Sequence, residues 1–92
     1  MFDAQDFWFV YILRCSDGLF YTGITNNVED RLKEHNTGSG AKYTRGRRPV
    51  TLVYQERHPN RSSARRREEE VKKWEKRNKE KLVLGFPRLR SG

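Results

Sequence analysis

The chain has 92 residues, of which 34% are hydrophobic and 35% charged, and its formal net charge is +8. A chain of this length forms one small domain with a modest core, and no apolar run in it is as long as a transmembrane helix requires. Its single cysteine excludes an intramolecular disulfide and a cysteine-rich zinc module. The acidic start MFDAQD is not typical of a signal peptide, so we expect a cytoplasmic protein with no membrane partner.

The charge is unevenly distributed along the chain. Residues 1–40 hold three basic and six acidic side chains, a net charge of −3, whereas residues 41–92 hold seventeen and six, a net charge of +11. This asymmetry favours a polyanionic partner for the second half. The alternative is a set of basic helices that are only solvated. A membrane surface is disfavoured because the basic segment lacks a broad Leu/Phe face.

The first predicted elements are two strands, DFWFVYILR and LFYTGI, joined by the turn CSDGL. A two-residue Asp-Gly turn would place Tyr11 and Tyr21 on opposite faces of the sheet. A three-residue Ser-Asp-Gly loop with Gly18 left-handed would pair Tyr11 with Gly23 and place both phenols on one face. In that register, Gly23 would leave room above the sheet for another group to approach. Both registers are compatible with the turn residues.

The segment NNVEDRLKEHNTG predicts the first helix, with Asn26 or Asn27 as its N-cap and Gly38 at its end. Arg31 and His35 are four residues apart, so they lie on the same side of this helix. That pair is either part of a functional site or an exposed pair on a solvated helix.

A glycine-rich segment, TGSGAKYTRGRRP, follows and is predicted to be a mobile loop; it lacks a Walker Gly-Lys-Ser/Thr ending, so nucleoside-triphosphate binding is not expected. VTLVYQE predicts a third strand, and SSARRREEEVKKWEKRNKEKLV predicts a helix that breaks near Asn78 into a shorter last helix. The order β-β-α-β-α-α predicts an α+β domain over residues 1–84, with a small three-stranded antiparallel sheet flanked by helices. Residues 85–92 are expected to form a disordered basic tail.

The long second-half helix carries three consecutive carboxylates. Ala64, Val71 and Trp74 mark its inward side, so Glu69 points away while Glu68 and Glu70 flank the apolar stripe. Helical geometry does not separate these last two residues. Ordinary pairing with basic residues one turn away is the alternative explanation for the whole acidic run.

Taken together, FVY, then YTG ten residues on from its tyrosine, then RLKEHN and ARRREEEVK resemble the GIY-YIG nuclease superfamily, in its small single-domain bacterial branch. The resemblance covers residues from about 7 to 83. The branch carries Ala-x-x-x-Glu-x-x-x-Lys on the second helix, which assigns the acid to Glu68 and the lysine to Lys72. The name-giving glycine is replaced by Phe9, and Thr22 is the middle residue of the second triplet. Neither position carries chemistry in the family.

The resemblance implies metal-dependent hydrolysis of DNA phosphodiester bonds. Tyr11 would be the general base and Tyr21 would orient water or phosphate, although the two roles are interchangeable at this stage. Arg31 would stabilise the phosphoryl charge, and His35 would hydrogen-bond within the site or assist proton transfer. Glu68 would hold one divalent cation, Mg²⁺ or Mn²⁺, with water and phosphate completing an oxygen shell.

The remaining basic residues are expected to contact the nucleic-acid backbone. They are Lys42, Arg45, Arg47, Arg48, Arg65 and Lys72. DNA is the expected partner, with single-stranded or damaged DNA in repair or uptake as one option and a targeting protein as another partner. Larger relatives append DNA-binding or partner-binding domains that we do not expect here. The two competing hypotheses are a non-catalytic nucleic-acid binder that retains the fold and an interaction module with a basic surface.

Overall fold

The computed structural model describes residues 7–86. Its strands are β1 (Trp8–Arg14), β2 (Phe20–Thr25) and β3 (Thr51–His58), and its helices are α1 (Val28–Thr37), α2 (Lys42–Arg45), α3 (Arg61–Lys72) and α4 (Lys76–Leu84). The strands form one antiparallel sheet in the order β2-β1-β3, which confirms the predicted α+β fold. Within residues 7–86, every helix falls short of the length and apolar character that crossing a membrane needs. Asp6 of the predicted first strand lies outside the described residues.

The hairpin between β1 and β2 adopts the three-residue loop. The amide of Cys15 donates to the Leu19 carbonyl at 2.8 Å, and Gly18 is left-handed with a φ of 86°. Tyr11 is therefore the partner of Gly23, and both phenols lie on the same face of the sheet. The side chain of Asp17 accepts a hydrogen bond from the Leu19 amide at 3.1 Å, which stabilises the turn.

The two faces of the sheet bury separate apolar clusters. On one face Tyr11 and Leu13 pack with Val50, and Leu32 of α1 covers them. On the other face Ile12 packs with Val71 of α3 and Val83 of α4, together with Trp74 and Phe20. The sheet is thus covered on both sides, as a single small domain needs for its core.

Asparagine caps begin both longer helices. The side chain of Asn27 accepts from the Asp30 amide at 3.0 Å, and that of Asn60 accepts from the Ser63 amide at 2.8 Å. Helix α1 ends at Gly38, whose φ is 94° and whose amide donates back to the last turn. The predicted bounds of α1 are confirmed, with Asn27 as the cap.

The second-half helix breaks at residues 73–75, and the prediction of a break near Asn78 was wrong. In one straight helix, Val71 and Val83 would point about 120° apart and could not both reach the sheet. The break lets α3 and α4 each bury one of these valines, while Trp74 packs between them.

The glycine-rich segment is not a uniform loop, because α2 forms within it and buries Thr44 completely. At the other end of the chain, helix α4 ends at Gly85 and the ring of Phe86 packs against Tyr54 with centroids 5.3 Å apart. Residues 87–92 of the predicted tail lie outside the described residues.

Candidate functional site

Tyr11 lies on the central strand and is only 1% exposed. A Cβ atom at Gly23 would lie 2.7 Å from the Tyr11 hydroxyl and 3.0 Å from the ring of Tyr21. The space that Gly23 leaves is therefore filled by the phenol of Tyr11 itself, so the expectation that another group would approach there was wrong. The bare backbone of Gly23 is what allows Tyr11 to adopt its position.

His35 of α1 is fully buried and links Tyr11 to α2. Its Nε2 lies 2.9 Å from the Tyr11 hydroxyl, and its Nδ1 lies 2.8 Å from Thr44 Oγ1. The Thr44 hydroxyl donates its own proton to the Ala41 carbonyl at 3.0 Å, so it accepts from Nδ1–H of His35. In neutral His35, Nε2 is then the bare nitrogen that accepts a hydrogen bond from Tyr11.

The surroundings of His35 favour that neutral form. Burial, and then the positive charge of Arg31, lower the pKa of His35 below its ordinary value. Gly40 lies directly over the ring, because a Cβ there would come within 2.6 Å of His35 Nδ1. The glycine-rich segment therefore lies over His35 and places Thr44 within hydrogen-bond distance of it.

Arg31 lies one helical turn before His35, as its spacing predicted, and its guanidinium is held by Glu34 at 2.7 Å. Burial raises the pKa of the Tyr11 phenol to about 12, and the nearby Arg31 opposes this shift only in part. Tyr11 is therefore protonated at neutral pH as the protein stands. Loss of its proton requires a further cation or an acceptor such as His35.

Tyr21 forms the centre of a row of rings that runs outward from the core. Its ring centroid lies 6.3 Å from that of Tyr11, 5.1 Å from that of His35 and 5.8 Å from that of Tyr43. Tyr43 is 39% exposed and forms the outer end of the row. The row connects the buried phenol to the surface.

The structure distinguishes the two carboxylates that helical geometry left equivalent. The side chain of Glu68 is 16% exposed, its charge raises the pKa of Tyr11, and Lys72 pairs with it at 3.2 Å. Glu70 is 58% exposed and pairs with Arg67 on the outside of the helix. Glu68 is therefore the more buried of the two and is close enough to Tyr11 to affect its pKa, whereas Glu70 is paired on the exposed side.

Glu68 is also the residue whose chemistry fits a divalent cation. Within residues 7–86, no group of three or more His, Cys, Asp or Glu side chains is arranged to hold a metal ion. A single carboxylate suits a hard cation that keeps most of its water and takes its other oxygens from a substrate phosphate. The donor set fits such an ion and does not fit a structural zinc site.

The predicted backbone-binding residues fall into two groups. Arg47 donates to Asp17 at 3.0 Å and to the Tyr43 carbonyl at 2.8 Å, with its guanidinium 4.3 Å from the Tyr43 ring centroid. Arg48 donates to the Arg45 carbonyl at 2.9 Å. These two arginines anchor the segment that was expected to be mobile.

The other predicted basic residues are more exposed. Lys42 and Arg45 project from α2, and their side chains form no ion pair within residues 7–86. Arg65 pairs with Glu69 at 3.5 Å on the exposed side of α3. Of the six predicted residues, Arg47 contacts Tyr43 and Lys72 contacts Glu68.

Sequence reasoning did not identify Thr44, Gly40 or Tyr43 as parts of the site. Thr44 and Gly40 lie in a segment whose composition predicted a loop, and their roles depend on His35, which approaches them from α1. The exposed aromatic Tyr43 among basic residues was the one visible signal.

Comparison with known proteins gives a consistent picture. The model of the GIY-YIG catalytic domain matches residues 7–81. A UPF0213 protein from Natronomonas pharaonis is 53% identical over 75 residues, covering 82% of this chain and 88% of that protein. A UPF0213 protein from Staphylococcus haemolyticus is 52% identical over 75 residues, covering 82% of this chain and 92% of the relative.

Two solved structures are similar as well. The solution NMR structure of a UPF0213 protein from Bacillus halodurans has a TM-score of 0.55 and 50% identity, covering 85% of this chain and 83% of that one. The solution NMR structure of a protein from E. faecalis has a TM-score of 0.59 and 40% identity, covering 92% of this chain and 95% of the other.

Proposed function

The chain belongs to the GIY-YIG family, a nuclease superfamily, and on this basis we propose that it is an endonuclease that hydrolyses DNA phosphodiester bonds with the help of a divalent cation. The observation that carries the proposal is the hydrogen bond of 2.9 Å from the Tyr11 hydroxyl to the bare Nε2 of His35. A phenol with a proton acceptor behind it is equipped to take a proton from water. The row of rings runs from this buried pair through Tyr21 to the exposed Tyr43.

In the proposed reaction, Tyr11 acts as the general base. It accepts the proton of the attacking water while its own proton passes to Nε2 of His35, so that no isolated phenolate has to form in the core. Thr44 holds the opposite nitrogen of the ring as a donor and thereby keeps Nε2 available. Tyr21 orients the water or the phosphate from the adjacent position on β2.

Arg31 and Glu68 are proposed to stabilise the negative charge that develops during the reaction. The guanidinium of Arg31 faces the growing negative charge on the phosphoryl oxygens. GIY-YIG nucleases generally use a divalent metal, and Glu68 would hold one such ion here, Mg²⁺ or Mn²⁺. When bound, the ion supplies positive charge for the departing 3′ oxygen. Lys72, which pairs with Glu68 at 3.2 Å, would be free to contact a phosphate when Glu68 holds the ion.

The exposed Lys42 and Arg45 of α2 bind the DNA backbone in this proposal, and Arg65 and Lys72 of α3 contribute further contacts. Arg47 and Arg48 act by holding the segment in place. Such contacts read no bases, so sequence specificity is expected to be poor. The proposed setting is a cytoplasmic protein that acts on single-stranded or damaged DNA in repair or uptake, with a protein partner for targeting.

A non-catalytic nucleic-acid binder is the second candidate, and one observation favours it. Glu68 already has a cationic partner in Lys72, at 3.2 Å. A permanent ion pair would leave a basic, folded surface with no vacancy for a metal. The two candidates differ in whether turnover depends on a divalent cation and on Glu68.

The test is incubation of the purified protein with single-stranded, duplex and branched DNA in Mg²⁺, in Mn²⁺ and in chelator. We expect cleavage in the presence of a cation only, loss of cleavage in Glu68→Ala, and DNA binding in that variant that is unchanged or slightly tighter. Glu70→Ala is the matched control on the same helix and should cleave normally. Absence of cleavage by the wild type with every cation and substrate would favour the binder.

A further inference from the structure

A pocket of about 160 Å³ lies beside the tyrosine site. It is lined by Leu19 and Phe20 at the start of β2, Tyr43 of α2, and Lys76 and Lys79 of α4. Three separate elements therefore contribute to it. Of these five residues, only Tyr43 has appeared above as part of the site, as the outer end of the row of rings.

The pocket adjoins the site in two ways. The ring of Tyr43 packs on that of Tyr21, with centroids 5.8 Å apart. The charge of Lys79 is close enough to Lys72 to be affected by it, and Lys72 pairs with Glu68 at 3.2 Å. A ligand that occupies the pocket would therefore lie directly beside the tyrosine site.

The walls of the pocket combine lysines with apolar side chains. Three large hydrophobic side chains are exposed among residues 7–86, and two of them line the pocket: Leu19 at 38% and Tyr43 at 39%. Arg47 and Tyr21 cover part of the Tyr43 ring, and the part that stays exposed offers a contact surface to another planar ring.

The rim of the pocket carries unneutralised positive charge. Lys76 and Lys79 form no ion pair within residues 7–86, and the Nζ of Lys76 lies 5.8 Å from the Phe20 ring centroid. Burial, and then the charge of Lys72, lower the pKa of Lys79. An anion beside Lys79 would offset the repulsion that it experiences from Lys72.

We propose that this pocket binds an unpaired nucleotide that neighbours the cleaved phosphodiester, with its base stacked on Tyr43 and its phosphate between Lys76 and Lys79. The inference rests on the proposed function and extends it to the form of the substrate. In a duplex both faces of a base are covered by its neighbours, so only a base outside such a stack can use the Tyr43 ring.

The test measures binding without turnover. Fluorescence anisotropy in chelator compares a short single-stranded oligonucleotide with a duplex of the same sequence. We expect Tyr43→Ala to weaken single-strand binding about tenfold and duplex binding less than twofold, with Tyr43→Phe restoring affinity. Lys79→Gln should weaken single-strand binding and reduce the slope of log affinity against log salt by about 0.7.

Arg77→Gln is the matched control, because Arg77 lies on the same helix, is 79% exposed and pairs with Glu75 outside the pocket. It should change single-strand binding less than Lys79→Gln does. A thermal melt of each variant separates loss of the pocket from loss of the fold, and Tyr43→Phe keeps the ring that packs on Tyr21.

Two outcomes overturn the inference. One is single-strand binding by Tyr43→Ala and Lys79→Gln that matches the wild type. The other is an equal loss on single strand and duplex, which would make these residues part of a general backbone track. Cleavage by the wild type is scored separately. Cleavage together with failed binding tests would contradict only the pocket proposal. Successful binding tests without cleavage would contradict only the proposed function.

Discussion

The two faces of the sheet each carry a tyrosine and a histidine in a hydrogen-bonded cluster. The carboxylates near the two clusters, Glu56 and Glu68, differ in the number of partners that hold them. Opposite the Tyr11 site, Tyr54 donates to Glu56 at 2.5 Å, and His58 lies 2.6 Å from the second oxygen of Glu56. Arg67 of α3 donates to that same oxygen at 3.0 Å. Glu56 is thus enclosed by partners, whereas Glu68 is held by one flexible lysine.

The pKa values reflect this difference. Burial would raise the pKa of Glu56, but hydrogen bonds from Tyr54, His58 and Arg67 outweigh it and hold the pKa below its ordinary value. The cluster around Glu56 therefore stays ionised and clamps α3 to β3. The charged groups near Tyr11 have fewer partners: Arg31 is paired with Glu34 at 2.7 Å, and Glu68 with Lys72 at 3.2 Å. The comparison separates a stabilising network from a candidate site.

The largest expected effects come from two separate substitutions that remove the charge of Glu68 or of Glu56. Glu68→Gln should reduce cleavage by a factor of about 1,000 or more, as loss of a charge-stabilising group does, with a small change in thermal stability. Glu56→Gln should lower the free energy of unfolding by about 1–3 kcal/mol, because Arg67 and His58 lose a charged partner, while the folded fraction still cleaves. Denaturant melts and single-turnover assays measure both effects. A large loss of stability in Glu68→Gln together with a large loss of cleavage in Glu56→Gln would contradict the comparison.

The next effect concerns the close contact at Gly23. Gly23→Ala places a Cβ 2.7 Å from the Tyr11 hydroxyl, so the phenol must move away from His35. A displacement of about 1 Å in a reacting group is enough for a loss of about 100-fold in cleavage rate. Gly46→Ala is the control, since a Cβ there meets nothing within 4 Å. Similar rates for these two variants would mean that the position of Tyr11 is not critical.

A smaller effect is expected at Thr44, which positions His35 without contacting substrate. Thr44→Val removes the acceptor of Nδ1–H, so the ring can adopt the tautomer that no longer accepts from Tyr11. We expect about a tenfold loss in cleavage rate, similar to the loss of other residues that orient a histidine, with an altered pH–rate profile. Thr44→Ser should restore both. An unchanged pH profile in Thr44→Val would leave Thr44 with a packing role only.

The smallest effect is on stability against pH. Because the pKa of folded His35 lies below its unfolded value of about 6.5, the unfolded chain binds a proton first as pH falls. The contribution of His35 to stability is therefore complete above about pH 6.5 and declines below it, down to the folded pKa. Denaturant melts of the wild type and His35→Gln across this range should show a shallower decline in the variant. If stability falls equally with pH in the wild type and in His35→Gln, groups other than His35 cause the loss of stability in acid.

The sequence predicted more of the elements than of the contacts between them. The strands and α1 followed from alternation and caps, and the common face of Tyr11 and Tyr21 was one of two registers that the same Asp-Gly turn allows. Glu68 was chosen over Glu70 only by resemblance, because both flank the apolar stripe formed by Ala64, Val71 and Trp74. The structure separates them by their burial and their partners.

The parts that the sequence did not predict depend on tertiary contacts. Helix α2 is four residues long, and burial of Thr44 against His35 accompanies it in a segment whose glycines indicated a loop. The break between α3 and α4 is explained by where Val71 and Val83 must point, which requires knowledge of the sheet beneath them. Local propensity carries no information about either.

The break between α3 and α4 also divides the working residues between two segments. Glu68 and Lys72 belong to α3, whereas Lys76 and Lys79 belong to α4. Under the proposals above, substitutions in the short last helix would alter nucleic-acid binding while leaving the carboxylate of Glu68 in place. In evolutionary terms, the proposed metal ligand and part of the proposed substrate contacts would then vary on separate stretches of chain. Relatives that diverge in α4 are expected to share a metal dependence and to differ in the substrates they prefer.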